Sequence, residues 1–141
     1  MSGTEFEALR QQIQHAVAAQ GFTRLVGARL QSLAPGQCLV EVDARPELLQ
    51  HYGYFHGGVS AYLIDNASAI AAATIAPGVS RPVTSEFKVN FLAPTKGTKL
   101  SCHARVVKSG RTLVIVAADI HAQTDDHNTH VATALATVFM T

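Results

Sequence analysis

The sequence predicts an α+β fold in which one curved antiparallel sheet is wrapped around a single long central helix. Three observations carry that expectation. The first is the stretch from Gly58 to Ile75, which reads as one helix opened by Gly57-Gly58 and stopped by Pro77, a residue that cannot continue a helix. The second is the pattern inside it. Val59, Leu63 and Ile70 lie on one side and Ile64 and Ile75 on another, with Ala61, Ala69, Ala72 and Ala76 between them. A helix apolar all round is a buried helix. The third is the second half of the chain, where segments of period two follow one another with turn residues between them. A helix of about 18 residues is ~27 Å long, and strands of about 10 residues span ~34 Å. One sheet of such strands can therefore bury most of the helix circumference. The side left uncovered keeps small apolar residues, which points to a dimer.

In chain order, Glu5 to Gln20 reads as an amphipathic helix with Thr4 as N-cap, Glu7 completing a capping box, and Phe6, Leu9, Ile13 and Val17 as its stripe. Gly21 is its expected stop. Phe22 to Leu33 reads as a strand and Ala34 to Gln37 as a turn. In the next strand Cys38, Val40 and Val42 alternate with Leu39, Glu41 and Asp43. Arg45 to Gln50 is a short helical turn or loop leading into the central helix. Beyond Pro77-Gly78, Ser85, Phe87, Val89 and Phe91 mark one face of a strand, and Leu100, Cys102, Ala104 and Val106 one face of another, Lys99 to Lys108. Ser109-Gly110 turns the chain into Thr112 to Ala122, and a polar loop leads to the last strand, His130 to Thr141. No repeat or linker divides residues 1–141, so one domain is expected.

Composition narrows the function. The chain has 141 residues, 48% of them hydrophobic and 15% charged, which suits a globular domain with a real core. A net charge of +1 gives no support for nucleic-acid or membrane-surface binding. The start, MSGTEFEALR, lacks the apolar core of a signal peptide, and Asp65, Asn66 and Ser68 interrupt the longest apolar run, so no membrane span is expected. Cys38 and Cys102 read as buried reduced thiols, and the cytoplasm is the expected compartment.

Asp65 is the only charged residue of the central helix. It is a poor helix former and is rarely buried without a partner. Two readings stand side by side: a locally satisfied aspartate facing a solvent-filled gap, or a catalytic carboxylate in a cleft.

The HGG at His56 to Gly58, Asp65 seven residues after Gly58, and the strand TSEFKVNFLAPTKG from Thr84 to Gly97 together resemble the hotdog-fold acyl-CoA thioesterases, and within them the phenylacetate-pathway (PaaI-like) branch. LVIVAADIHAQ is similar to that branch's next-to-last strand, and the resemblance covers roughly Glu41 to the C-terminus. It implies the hotdog fold, hydrolysis of a CoA thioester, a homodimer or homotetramer built as a dimer of dimers, and neither a metal nor a cofactor beyond the CoA of the substrate. Residue by residue, it implies that Asp65 is the general base or nucleophile and that the Gly58 backbone N–H polarises the thioester carbonyl. His56 then supports the loop, and Thr84 helps to position water. Gln50 stands where the branch commonly has Asn, so the amide function survives, with His51 as the substitute.

The chemistry has its own geometric demand. Thioester hydrolysis needs an oxyanion donor and a base or nucleophile facing the carbonyl carbon, and the amides of a helix N-terminus, strengthened by the dipole, can supply the donor. Gly58 and Asp65 share a helix face but lie two turns, ~10 Å, apart. Either a water bridges that gap or the two groups come from different subunits, and the second is the expected arrangement, with Asp65 from one subunit and Gly58 from the other. Gly57, Tyr54 and Phe55 are candidates for substrate contact, with Tyr54 and Phe55 either lining an acyl pocket or packing beside the helix start. Arg81, Lys108 and Arg111 could meet CoA phosphates or be ordinary solvated charges. Ser60 and Ser68 lack an adjacent base, and His127 and His130 lack metal-ligand spacing. Two alternatives remain open: an acyl-thioester hydratase or dehydratase, which would need His56 or His51 to reach Asp65, and a non-catalytic acyl-CoA-binding module.

Overall fold

The computed structural model describes residues 1–75 and 81–141. Three α-helices, α1 (Gly3–Ala19), α2 (Gly21–Val26) and α3 (Gly57–Ala73), accompany six strands: β1 (Arg29–Ala34), β2 (Gln37–Asp43), β3 (Pro82–Phe91), β4 (Lys99–Ser109), β5 (Leu113–Gln123) and β6 (Asn128–Met140). The strands form one antiparallel sheet in the order β1-β2-β4-β5-β6-β3, which leaves β1 and β3 at the edges. Register shifts interrupt four of the ladders, including one between Thr84 and Glu86 in β3 and one between Val106 and Lys108 in β4. Such bulges bend strands and raise their twist, which curves the sheet around α3.

The concave face of the sheet is rich in small residues. Ala104, Ala118, Ala132 and Ala136 are fully buried there, opposite the large side chains Leu63 and Ile64 of α3. Small residues on the sheet let the helix axis approach closely while Leu63 and Ile64 fill the space, as close packing demands. The apolar circumference of α3 is not covered all round, however. Gly58 and Asp65 are exposed, and Gly57, Ala61, Tyr62, Asn66, Ala69 and Ala73 are half-buried. They recur every three or four residues and make one uncovered stripe. Asp65 is the charged member of that stripe. Its side chain stands on the one helix face that the sheet cannot reach.

The ends of the elements differ from the sequence reading in instructive ways. The capping box of α1 is Ser2 with Glu5, not Thr4 with Glu7: Glu5 N donates to Ser2 Oγ (3.2 Å) and Ser2 N donates to Glu5 Oε2 (2.6 Å). Both frames fit the motif, but the earlier one lengthens the helix and frees Glu7 to pair with Arg10 at 2.9 Å. At the other end α3 stops at Ala73. Thr74 Oγ1 donates to the Ala71 carbonyl and accepts from Gly36 N, both at 2.7 Å, tying the helix end to the β1–β2 turn. The expected stop at Pro77 and the Pro77-Gly78 loop lie outside the described residues.

A larger correction concerns Phe22 to Leu33. Only Arg29–Ala34 is strand, and residues Gly21–Val26 form α2. Two distant groups decide this. Thr23 Oγ1 meets the Tyr62 hydroxyl of α3 at 2.6 Å, and the Arg45 guanidinium donates to the carbonyls of Val26 (2.9 Å) and Leu25 at the end of α2. Gly27, at φ 80°, supplies the left-handed residue that closes the helix.

Cys38 and Cys102 are buried free thiols. Burial pushes the Cys38 thiol up to about 12, and burial pushes Cys102 well above the ordinary range. Both are thus thiols rather than thiolates at neutral pH. An aromatic disulfide reagent is expected to leave the native protein unmodified and to titrate both cysteines once denaturant is added. Rapid labelling of the folded chain would contradict their placement in the core.

Candidate active site

The N-terminus of α3 is assembled by the loop before it. Phe55 N donates to the Thr95 carbonyl (3.0 Å) and His56 N to the Leu48 carbonyl (2.9 Å), fixing the chain as it enters the helix. His56 is the N-cap, and its Nδ1 accepts from Gly58 N at 2.8 Å. The Gly58 amide, expected to be open for a thioester carbonyl, is therefore occupied in this chain. The physical reason is local, because an N-cap side chain normally takes the amide two or three positions on. The Gly57 N–H, by contrast, makes no hydrogen bond among the described residues. A Cβ on Gly57 would stand 3.4 Å from the Phe91 ring, and both residues border the same groove.

Two grooves flank the uncovered face of α3. One, of about 480 Å³, is bordered by Gln50, Tyr54, Phe55, Gly57 and the segment Phe91 to Thr95. Gln50 Oε1 accepts from Tyr52 N, so its amide nitrogen is the group left to act as a donor. The other, of about 630 Å³, holds Asp65 and Thr84 together with Gln20, Phe22, Ala61, Tyr62, Asn66, Ala69, Pro82, Val83 and Phe87. No hydrogen bond or ion pair reaches the Asp65 carboxylate among the described residues. Thr84 Oγ1 is buried with no hydrogen-bond partner. It sits at the β3 register shift, a device that re-aims a side chain off the regular ladder. Nearby, burial raises the Tyr62 hydroxyl above the usual phenol value, and the charge of Asp65 adds to the shift.

The expected site residues thus fall into two sets. Asp65 and Thr84 share one groove; Gln50, Gly57, Tyr54 and Phe55 share the other. Phe55 is also part of the core, so of the two readings for it packing is the larger share. His51 borders neither groove and lies against the Tyr52 ring, with centroids 4.0 Å apart. Arg81, Lys108 and Arg111 are exposed and border neither groove. Arg81 precedes the Pro82 wall of the Asp65 groove and exchanges backbone hydrogen bonds with Thr141, while Met140 N donates to the Thr112 carbonyl, so Arg81 and Arg111 lie at the same end of the sheet. Ser60 and Ser68 are wholly buried away from both grooves. His130 Nε2 is 2.8 Å from Asp119 Oδ1, and no group of three metal-ligating side chains is present among the described residues. Sequence reasoning missed Phe22, Tyr62 and Asn66. A signal was present for two of them, since Tyr62 lies one turn before Asp65 and Asn66 follows Tyr62 at i,i+4 spacing.

A curved antiparallel sheet wrapped around one long helix is the architecture of the hotdog fold. Residues 52–127 match the family model described as the thioesterase superfamily. The chain is 33% identical to human acyl-coenzyme A thioesterase 13 over 119 residues, covering 81% of this chain and 82% of that one. It superposes on a thioesterase family protein from Silicibacter pomeroyi with a TM-score of 0.91 and 32% identity, over 94% of this chain and 97% of the other. The E. coli PaaI protein from the phenylacetic acid degradation operon shares the fold, with a TM-score of 0.86 and 20% identity over 97% and 96% of the two chains. The chain belongs to the thioesterase superfamily.

Proposed function

We propose that the protein hydrolyses an acyl-CoA to the free acid and CoA at a site shared between two subunits. The observation that carries this reading is the separation of the two grooves. Gly57 and Asp65 are eight residues apart on one rigid helix, about 12 Å along its axis. Neither groove alone holds both an oxyanion donor and a carboxylate, and a second copy packed against the uncovered stripe of α3 brings the complementary half to each. The edge strand β3 runs beside that stripe and exposes Val83 and Phe91, followed by Leu92, together with an unpaired backbone edge. Such an edge is normally covered, and a twofold axis does so by pairing it with itself.

In the assembled site the thioester oxygen accepts from the Gly57 N–H, where the α3 dipole favours the developing negative charge. The Gln50 amide nitrogen is the second donor. From the other subunit Asp65 takes a proton from water as the water attacks the carbonyl carbon, and Thr84 borders the same groove as a candidate to help position that water. Collapse of the tetrahedral intermediate expels CoA as the thiolate. Action of Asp65 as a nucleophile, through an anhydride that water then opens, uses the same groups. The hydratase alternative would have to work through the His56 imidazole, whose Nδ1 is already engaged by the Gly58 amide, since His51 borders neither groove.

Release of free thiol from a panel of acyl-CoAs tests the function. Turnover of at least one member is expected, and binding without thiol release would make the protein an acyl-CoA carrier. Gly58→Val probes the helix start. Its Cβ would stand 2.9 Å from His56 Nδ1, so the cap must move and the branched side chain crowds the carbonyl site. Activity is expected to fall about tenfold or more with the fold kept, as the cap contributes only ~1 kcal/mol. Unchanged kcat and KM would remove the α3 N-terminus from the mechanism.

A further inference from the structure

The Asp65 groove has one wall that takes no part in the chemistry above. It is α2, which carries Phe22 and Leu25 at 59% and 67% exposure. So open an apolar pair on a six-residue helix invites an explanation, because the helix itself is firmly held. Thr23, between them and 4% exposed, donates its one hydroxyl proton to Gln20 Oε1 at 2.7 Å. The 2.6 Å contact between Thr23 Oγ1 and the Tyr62 oxygen must then use the Tyr62 proton. The Tyr62 oxygen in turn accepts from Asn66 Nδ2 at 3.1 Å. Every proton of the chain Asn66, Tyr62, Thr23, Gln20 is thereby assigned, and it runs from the catalytic helix to α2. The raised Tyr62 hydroxyl stays protonated, as its role as donor requires.

Phe22 rides on this chain. Its ring stands edge-on to Tyr62, with centroids 5.1 Å apart at 70°, a favourable aromatic arrangement. Gln20, Phe22, Tyr62 and Asn66 all border the groove that contains Asp65, whereas the equally exposed Leu25 does not. The floor beside them is Ala61 and Ala69, small enough to leave room above α3. A small floor with a rigid aromatic wall is a cavity with one defined end.

We propose that Phe22, held against Tyr62 by the Asn66–Tyr62–Thr23–Gln20 hydrogen-bond chain, is the wall that limits the length of the acyl group. The proposal rests on the acyl-CoA reading above and adds to it a specificity-determining residue and a positioning chain. Phe22 touches the tail of the substrate and not the reacting atoms, and Tyr62 and Thr23 act through it.

Straight-chain S-alkyl-CoA thioethers, which cannot be hydrolysed, test it by calorimetry on the full-length protein. Burying each further methylene should raise affinity roughly fourfold until the tail reaches Phe22, after which affinity stops rising. Phe22→Ala is expected to move that break to chains at least two methylenes longer, a gain of roughly tenfold or more for those chains. Tyr62→Phe keeps the ring but cuts the chain, and should blur the break by admitting longer tails. Leu25→Ala, on the same helix but outside the groove, should leave the break where it is. The same break in Phe22→Ala as in the wild type, an equal displacement in Leu25→Ala, or no dependence on chain length in the wild type would each overturn the proposal. Thioether binding with the expected break but without thiol release from acyl-CoAs would overturn only the catalytic reading.

Discussion

Asp65→Asn is expected to slow hydrolysis of acyl-CoA by ~100-fold or more, about 2.7 kcal/mol of transition-state stabilisation, while leaving thioether binding within a few-fold of the wild type. The substitution keeps the shape of the side chain and removes only its capacity to accept a proton or attack a carbonyl. No hydrogen bond or ion pair involving Asp65 is broken among the described residues, so the unfolding midpoint should hardly move. Stability and activity therefore separate cleanly at this position. Loss of only a few-fold in kcat would assign water activation to another group and return Asp65 to the role of a solvated helix aspartate.

Mixing two inactive proteins should restore activity if the site is shared. Gly57→Val places a branched side chain against Phe91 and over the free amide, which is expected to abolish turnover from the oxyanion side. In a heterodimer of Asp65→Asn and Gly57→Val chains, one site collects both lesions. The other joins an intact Asp65 to an intact Gly57. Random reassortment makes about half of the dimers mixed, each with one whole site, so roughly a quarter of wild-type activity returns. Activity that stays at the level of the parent proteins, with subunit exchange shown by mass, would confine catalysis to single chains and require water to bridge the 12 Å gap.

Much of this architecture is legible in local sequence because it rests on periodicity. The alternation of Leu100, Cys102 and Ala104, and of Val114, Val116 and Ala118, marks which side of each strand faces the helix. The helix from the HGG motif to Thr74 is equally plain, and Asp65 stands out within it as a lone charge. Such patterns survive translation into structure because burial on one face of a regular element depends only on spacing.

The failures have a common cause as well. Phe22, Thr23 and Val26 are strand-favouring residue types, so residues 22–26 read as strand, yet Thr23 and Arg24 are helical because Tyr62, 39 positions away, and Arg45 hold the backbone there. Tertiary contacts of that kind override a weak local preference. The same misreading hid Phe22 from the list of groove residues. The amide that an N-cap occupies is likewise invisible in HGG as a string: a rotamer of His56 decides that Gly58 is engaged and Gly57 is left open.

By itself, then, the sequence determined the α+β class, the central helix, the strand faces and the single charge that the helix carries, since each follows from residue type and period. Only the tertiary structure decided that Asp65 is exposed, that Thr84 shares its groove, that α2 walls that groove, and that Gln50 and Gly57 lie in a different one. Those facts depend on which face of α3 a six-stranded sheet can reach. A helix is covered by one sheet on one side only, and what remains uncovered is a property of the packed whole.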